Sequence, residues 1–191
     1  MSQSHDKGSR HGVPWRIVGW SIPVLLLLLP LVSGAPWTLS DFVTAGAMLI
    51  AVGLALELAL HASRDLSYRA GAAAAVAAIF LLIWVNVGIG FLGSEDNPAN
   101  LIFGAVLAVA LLGASLAHFR AAGMARAMYA TAACQVVVGL VALAAGWAAP
   151  GRAGIYEVVM GTGLFTGLWL ASGWLFARSA RGQKASSALS E

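Results

Sequence analysis

The sequence predicts an all-α, polytopic transmembrane helical bundle of six helices with both termini in the cytoplasm. Three observations predict it. Hydrophobic residues make up 60% of the chain and charged residues 10%, with a mean hydropathy of +0.84; a soluble domain carries about a quarter charged residues. Apolar runs recur at the length of roughly 20 residues that crosses a ~30 Å hydrocarbon core. Ten of the eleven Lys and Arg residues fall on one side of that threading, which the positive-inside rule makes cytoplasmic.

The runs lie at 15–34, 41–62, 70–92, 98–117, 126–148 and 157–177. The first, "IPVLLLLLPLVSGA" at its centre, also fits a cleaved signal peptide, but Pro36 would then open the mature chain and disfavour cleavage. The second follows Pro36, with Ser40 as the expected N-cap. The third ends at "GSEDNPAN", where Gly93 permits a left-handed helix end. The fourth starts there, with Asn97 as N-cap and Pro98 at the first helical position, where its missing N–H costs nothing. The fifth and sixth are divided by "APGRAGIYE", with Pro150 and two glycines. Segments 1–14 and 178–191 are polar and rich in small residues, and are expected to be mobile cytoplasmic ends around a transmembrane domain at 15–177. A shift of 57 places His61 on His118, Arg69 on Arg126 and Ala70 on Ala127. The second and third helices (41–91) then form a hairpin repeated in parallel by the fourth and fifth (98–148).

Lys7, Arg10, Arg16, Arg64, Arg69, Arg120, Arg126, Arg178, Arg181 and Lys184 share the inner side, and Arg152 alone lies outside. The net charge of +3 therefore reports topology rather than nucleic-acid binding. Cys134, the single cysteine, excludes an intrachain disulfide and a cysteine-based zinc site. No phosphate loop, H-E-x-x-H or nucleophile motif occurs, so no cofactor and no enzymatic activity are expected.

A few polar residues could carry chemistry. Glu57 lies about 24 Å along its helix from Asp41, close to the inner interface, with His61 one turn beyond on the same face. Together they suit a proton relay or two metal ligands; alone, Glu57 snorkels to the interface and pairs with His61 or Arg64. His61 and His118, matched by the repeat, could ligate a haem axially, yet both sit at helix ends beside arginines. Gln135 lies near mid-membrane with Thr131 one turn earlier, and Asn86 nearer the outer surface; such side chains ordinarily bond between helices. Glu95 and Asp96, with Asp41 and Glu157, make the outer face acidic at helix N-termini, where the macrodipole favours carboxylates. Gly163 and Gly167 form a GxxxG, and Gly46/Gly53 and Gly139/Gly146 repeat at heptad spacing, marking close helix approach within the bundle or between copies of the chain. Trp15, Trp20, Trp37, Trp147 and Trp174 fall near the interfaces as an aromatic belt.

The segments "PWTLSDF", "YRAG", "FLLIWVNVGIGFLGSEDNPANL" and "GMARAMYATA" resemble a group of small bacterial integral-membrane proteins that carry a GSEDNPAN loop. The resemblance covers helices two to five. It implies a multi-pass protein of the bacterial inner membrane and carries over no functional residue. The NPA triplet is also found in aquaporins, which place two copies on half-helices meeting at mid-membrane; here one copy begins a full helix. The expected function is that of a non-enzymatic structural or accessory membrane protein. A transporter or channel for a small solute or cation, using Glu57, Asn86 and Gln135, is the alternative.

Overall fold

The computed structural model describes residues 15–188, with side chains from Trp20 onward, and these residues form helices joined by loops, with no strand among them. The helices are α1 Trp15–Ser33, α2 Leu39–Ala62, α3 Leu66–Gly88, α4 Phe103–Leu116, α5 Ala121–Ala144 and α6 Arg152–Ala188, with a 3-10 turn at Pro98–Ile102 leading into α4. Five segments are long and apolar enough to cross a membrane: α2, α3, the 3-10 turn with α4, α5 and α6. Large apolar residues such as Leu112, Leu116, Leu140 and Leu164 stay exposed on them. Helices apolar all round, with such faces left open, have lipid as their solvent. The chain is a multi-pass membrane protein.

The sixth expected span is different. Pro23 and Pro30 lie inside α1, and its described side chains make a shorter apolar helix, Trp20–Ser33. The helix ends also move. α3 starts at Leu66 rather than 70 because Asp65 caps it, its side chain accepting from the Ser67 N–H at 3.0 Å. α5 starts at Ala121 rather than 126, since the intervening "AAGMA" is mostly strong helix formers. α6 begins at Arg152 and continues to Ala188, where the sequence expected it to stop at 177. Ser179 remains buried, so core packing carries the helix past the end of its apolar run. Residues 1–14 lie outside the described residues. The offset of 57 carries α2 to 96–119 and α3 to 123–145, against the 3-10 turn and α4 at 98–116 and α5 at 121–144.

Two compact units divide the chain, Met1–Leu54 and Ala55–Glu191. In the first, α1 crosses the N-terminal part of α2 antiparallel. Leu27 lies against Gly46, and a Cβ at Gly53 would stand 2.9 Å from the Trp20 ring. The heptad glycines of α2 are thus a seam, and Trp20 fills it. The N-cap of α2 is Thr38 rather than Ser40: Thr38 Oγ1 accepts from the Asp41 N–H at 3.4 Å while Asp41 Oδ2 accepts from the Thr38 N–H at 2.7 Å. That reciprocal pair is a capping box.

In the second unit α6 is central. Its most extensive partner is α5, then α3, and α5 in turn packs on α4. Gly154, Val158, Phe165, Trp169, Ser172, Phe176 and Ser179 are all buried along α6, at intervals of three, four or seven residues, the period of a bundle seam. Gly139 of α5 takes the Thr162 side chain directly onto its backbone, and a Cβ at Gly173 would meet Tyr129 at 2.9 Å, so the two helices run antiparallel in a fixed register. Ser172 Oγ donates to the Gly71 carbonyl at 2.7 Å and sets the register of α3 on α6.

Candidate functional site

The loop between α3 and α4 builds itself from its own side chains. α3 ends at Gly88, and the left-handed residue of its C-terminal turn is Gly90 (φ +78°) rather than Gly93, its N–H bonding the Val85 carbonyl at 2.9 Å. A Cβ at Gly90 would collide with the Ser94 backbone, so only glycine fits. Asn97 caps the 3-10 turn as expected, accepting from the Ala99 N–H at 3.0 Å while its amide donates to the Leu92 carbonyl at 2.7 Å. Asn100, which sequence reasoning left unassigned, is the buried centre. It accepts from the Leu92 N–H and donates to the Ser94 carbonyl, each at 2.7 Å. Those bonds drive Phe91 and Leu92 inward, where the Phe91 ring sits 4.4 Å from Phe103 and 5.8 Å from Phe165. Glu95 and Asp96 stay exposed.

The opposite end of this unit is basic. Arg69 donates to the Leu60 and Ser63 carbonyls at 3.0 and 2.8 Å, closing the C-terminal end of α2. The Ser179 hydroxyl and the Ser67 N–H hold the Asp65 carboxyl below the usual carboxylate range, although Ser179 Oγ stops short of a formed hydrogen bond. His118 and Phe119 both take positive φ, 47° and 56°. Tyr68 locks them by donating its hydroxyl to the Phe119 carbonyl at 2.7 Å, its buried ring edge-on to Phe176. An open cleft of about 680 Å³ here is lined by Tyr68, His118, Phe119, Arg120, Gln183 and Lys184. His61 Nδ1 lies 2.7 Å from the Glu57 carbonyl oxygen, so the imidazole one turn beyond Glu57 meets its backbone. His118 Nδ1 lies 3.0 Å from the Leu116 carbonyl oxygen. Among the described residues no three His, Cys, Asp or Glu side chains gather in a group able to hold a metal ion.

Gln135 is fully buried on α5, and neither its amide oxygen nor its nitrogen has a hydrogen-bond partner. Asn86 donates to the Leu82 carbonyl at 2.7 Å, leaving its oxygen unpaired. The three polar positions expected to line a path are spread in depth. The register of α3 on α6 puts Asn86 level with Val158, and that of α5 on α6 puts Gln135 level with Thr166, two turns or about 12 Å deeper. Glu57, one turn before His61, belongs near the basic end. Trp169, Thr162 and Thr166 are unpaired polar residues that sequence reasoning passed over. The T-x-x-x-T-x-x-W spacing, which puts all three on one helical face, was the signal available. Gly163 and Gly167 point away from every neighbour, with nothing within 4 Å of either.

Comparison with family models, with curated proteins and with solved structures finds no match for this chain.

Proposed function

We propose that the chain is a bacterial inner-membrane protein with both termini in the cytoplasm, and that it acts as a non-enzymatic structural or accessory protein that self-associates. One observation carries this: the polar side chains at its loops and helix ends are consumed internally. Asn97 and Asn100 close the α3–α4 loop, Arg69 and Asp65 cap helices, and Ser172 ties α6 to α3. The segregated basic residues support the orientation, with α1 counted as a span; its 19 residues would reach about 28 Å. The likeness to small bacterial membrane proteins with a GSEDNPAN loop supports the compartment. Gly163 and Gly167, exposed and open, offer the face on which a second copy could approach closely.

The test is mass measurement of the protein in lipid nanodiscs. Wild type should run as an oligomer, and Gly163→Leu with Gly167→Leu should shift it to monomer without unfolding it. An unchanged mass would remove self-association from the proposal. A second reading, a transporter or channel for a small solute or cation, draws on the unpaired amide atoms of Asn86 and Gln135. Solute flux in proteoliposomes that falls with Gln135→Leu or Glu57→Gln would put it first.

A further inference from the structure

Among six polar atoms on α5 and α6 that find no partner in the protein, five lie apart from Ser179 at the basic end: both amide atoms of Gln135, the hydroxyls of Thr162 and Thr166, and the Trp169 indole nitrogen. They belong together. Gly139 faces Thr162, so one turn inward on each helix Gln135 faces Thr166, and Trp169 follows within a further turn. Gln135 and Trp169 are completely buried, as are Ala78 and Leu82 on α3 and Val106 on α4. The five polar atoms themselves are buried.

Neighbouring hydroxyls show that pairing was within reach. Thr131 donates back to the Ala127 carbonyl at 2.9 Å and Ser172 across to Gly71 at 2.7 Å. Thr162 and Thr166 do neither, and Thr162 Oγ1 is aimed instead at the α5 backbone beside Gly139. A buried polar group left unpaired is costly, and in a bilayer no bulk water reaches it. Five within two helical turns call for a guest that satisfies several at once. The chemistry of that guest follows from the donors and acceptors. The indole and the amide nitrogen only donate, the amide oxygen only accepts, and the hydroxyls do both. No carboxylate, lysine, arginine or histidine lies between 127 and 156 on α5 and the following turn except Arg152, and none lies between 158 and 177 on α6. A charged guest would thus have no counter-charge.

We propose that Gln135, Thr162, Thr166 and Trp169 form a binding site, halfway through the bilayer, for a small uncharged molecule that both donates and accepts hydrogen bonds. Water is the smallest such molecule; urea, acetamide and glycerol share its chemistry. The site needs the bundle to span a membrane but does not depend on the scaffold reading.

The test uses the full chain, labelled with ¹⁵N-tryptophan, in lipid nanodiscs. The Trp169 indole resonance is identified by its loss in Trp169→Phe. Magnetisation transfer from water to that indole proton, with no response to added urea, acetamide or glycerol, identifies water as the guest. A saturable shift of the same resonance with one of those solutes identifies a solute, and either result upholds the site. Gln135→Leu and Thr166→Val should abolish the transfer or the shift and should lower Tm, because the guest loses its partners. Should Gln135→Leu fail to fold, the near-isosteric Thr166→Val still decides. Neither transfer nor shift in wild type, with Tm raised by Thr166→Val, would mean that the polar atoms stand unserved, and the site would be discarded.

Discussion

At the scale of single residues, Asn100 outweighs the residues that look functional. Its side chain satisfies a backbone donor and a backbone acceptor inside the α3–α4 loop, and it is buried. Asn100→Ala should therefore destabilise by about 2–3 kcal/mol, since two buried groups lose their partners. Asn97→Ala should cost about 1 kcal/mol, and Glu95→Gln with Asp96→Asn, both exposed, less than about 1 kcal/mol. Thermal unfolding in detergent micelles checks the ranking; if the acidic pair proves the most costly to change, the loop is more than a connector. Asn97 was legible because N-cap and following proline form a local pattern. Asn100 was not, because its partners Leu92 and Ser94 lie back across a turn whose path no short-range rule specifies. Gln135 was legible as a buried polar residue, but its company on α6 depended on an interhelical register the sequence does not display.

Among the helices, the glycines sort into two kinds. Gly139 receives the Thr162 side chain against its backbone, whereas Gly163 and Gly167 have open space around them. Gly139→Val should force α5 and α6 apart and cost roughly 2–3 kcal/mol by overpacking. Gly163→Val and Gly167→Val should leave monomer folding nearly unchanged. Guanidinium titration of the three variants separates the kinds. Heptad spacing marked Gly46, Gly53 and Gly139 correctly as seams, yet Gly146 at the same spacing is a left-handed loop residue (φ +69°) with no neighbour. Spacing records periodicity; contact also needs a facing helix. The α3 cap brings pH into play. The carboxyl of Asp65 is held below its ordinary value, first by Ser179 and then by the Ser67 N–H. Its folded pKa is depressed, so its contribution is complete above the unfolded value near 4 and is lost as pH falls through the lower folded value. Asp65→Asn should flatten the Tm–pH curve below about pH 4 while leaving Tm at neutral pH nearly unchanged, because asparagine still caps. A mutant curve parallel to wild type at low pH would show that Asp65 does not report the cap.

For the whole molecule, the proposed threading rests on charge. Arg64, Arg69, Arg120, Arg126, Arg178, Arg181 and Lys184 flank the ends where α2 stops, α3 and α5 start and α6 runs out. Reporter tags at both termini and within 64–69 should therefore read cytoplasmic, and tags near 94 and 152 external. An external N-terminus with the remaining tags as stated would mean that α1 does not cross. Helix number and type were readable because lipid imposes length and apolarity on every crossing segment. The junction at Leu54 between two compact units was not, since the apolar run of α2 continues through it without interruption.

The final helix has a mechanical consequence. Its 37 residues contain no proline, so one rod of about 55 Å runs from the α5–α6 loop to Ala188. The bilayer core takes about 30 Å of that length, and the C-terminal remainder still packs on the bundle, with Ser179 buried and Gln183 and Lys184 walling the cleft beside His118. A hydrogen-bonded rod passes torsion and tilt along itself. The same rod carries Trp169, Thr166 and Thr162, so their spacing along α5 is fixed by the helix rather than by a loop.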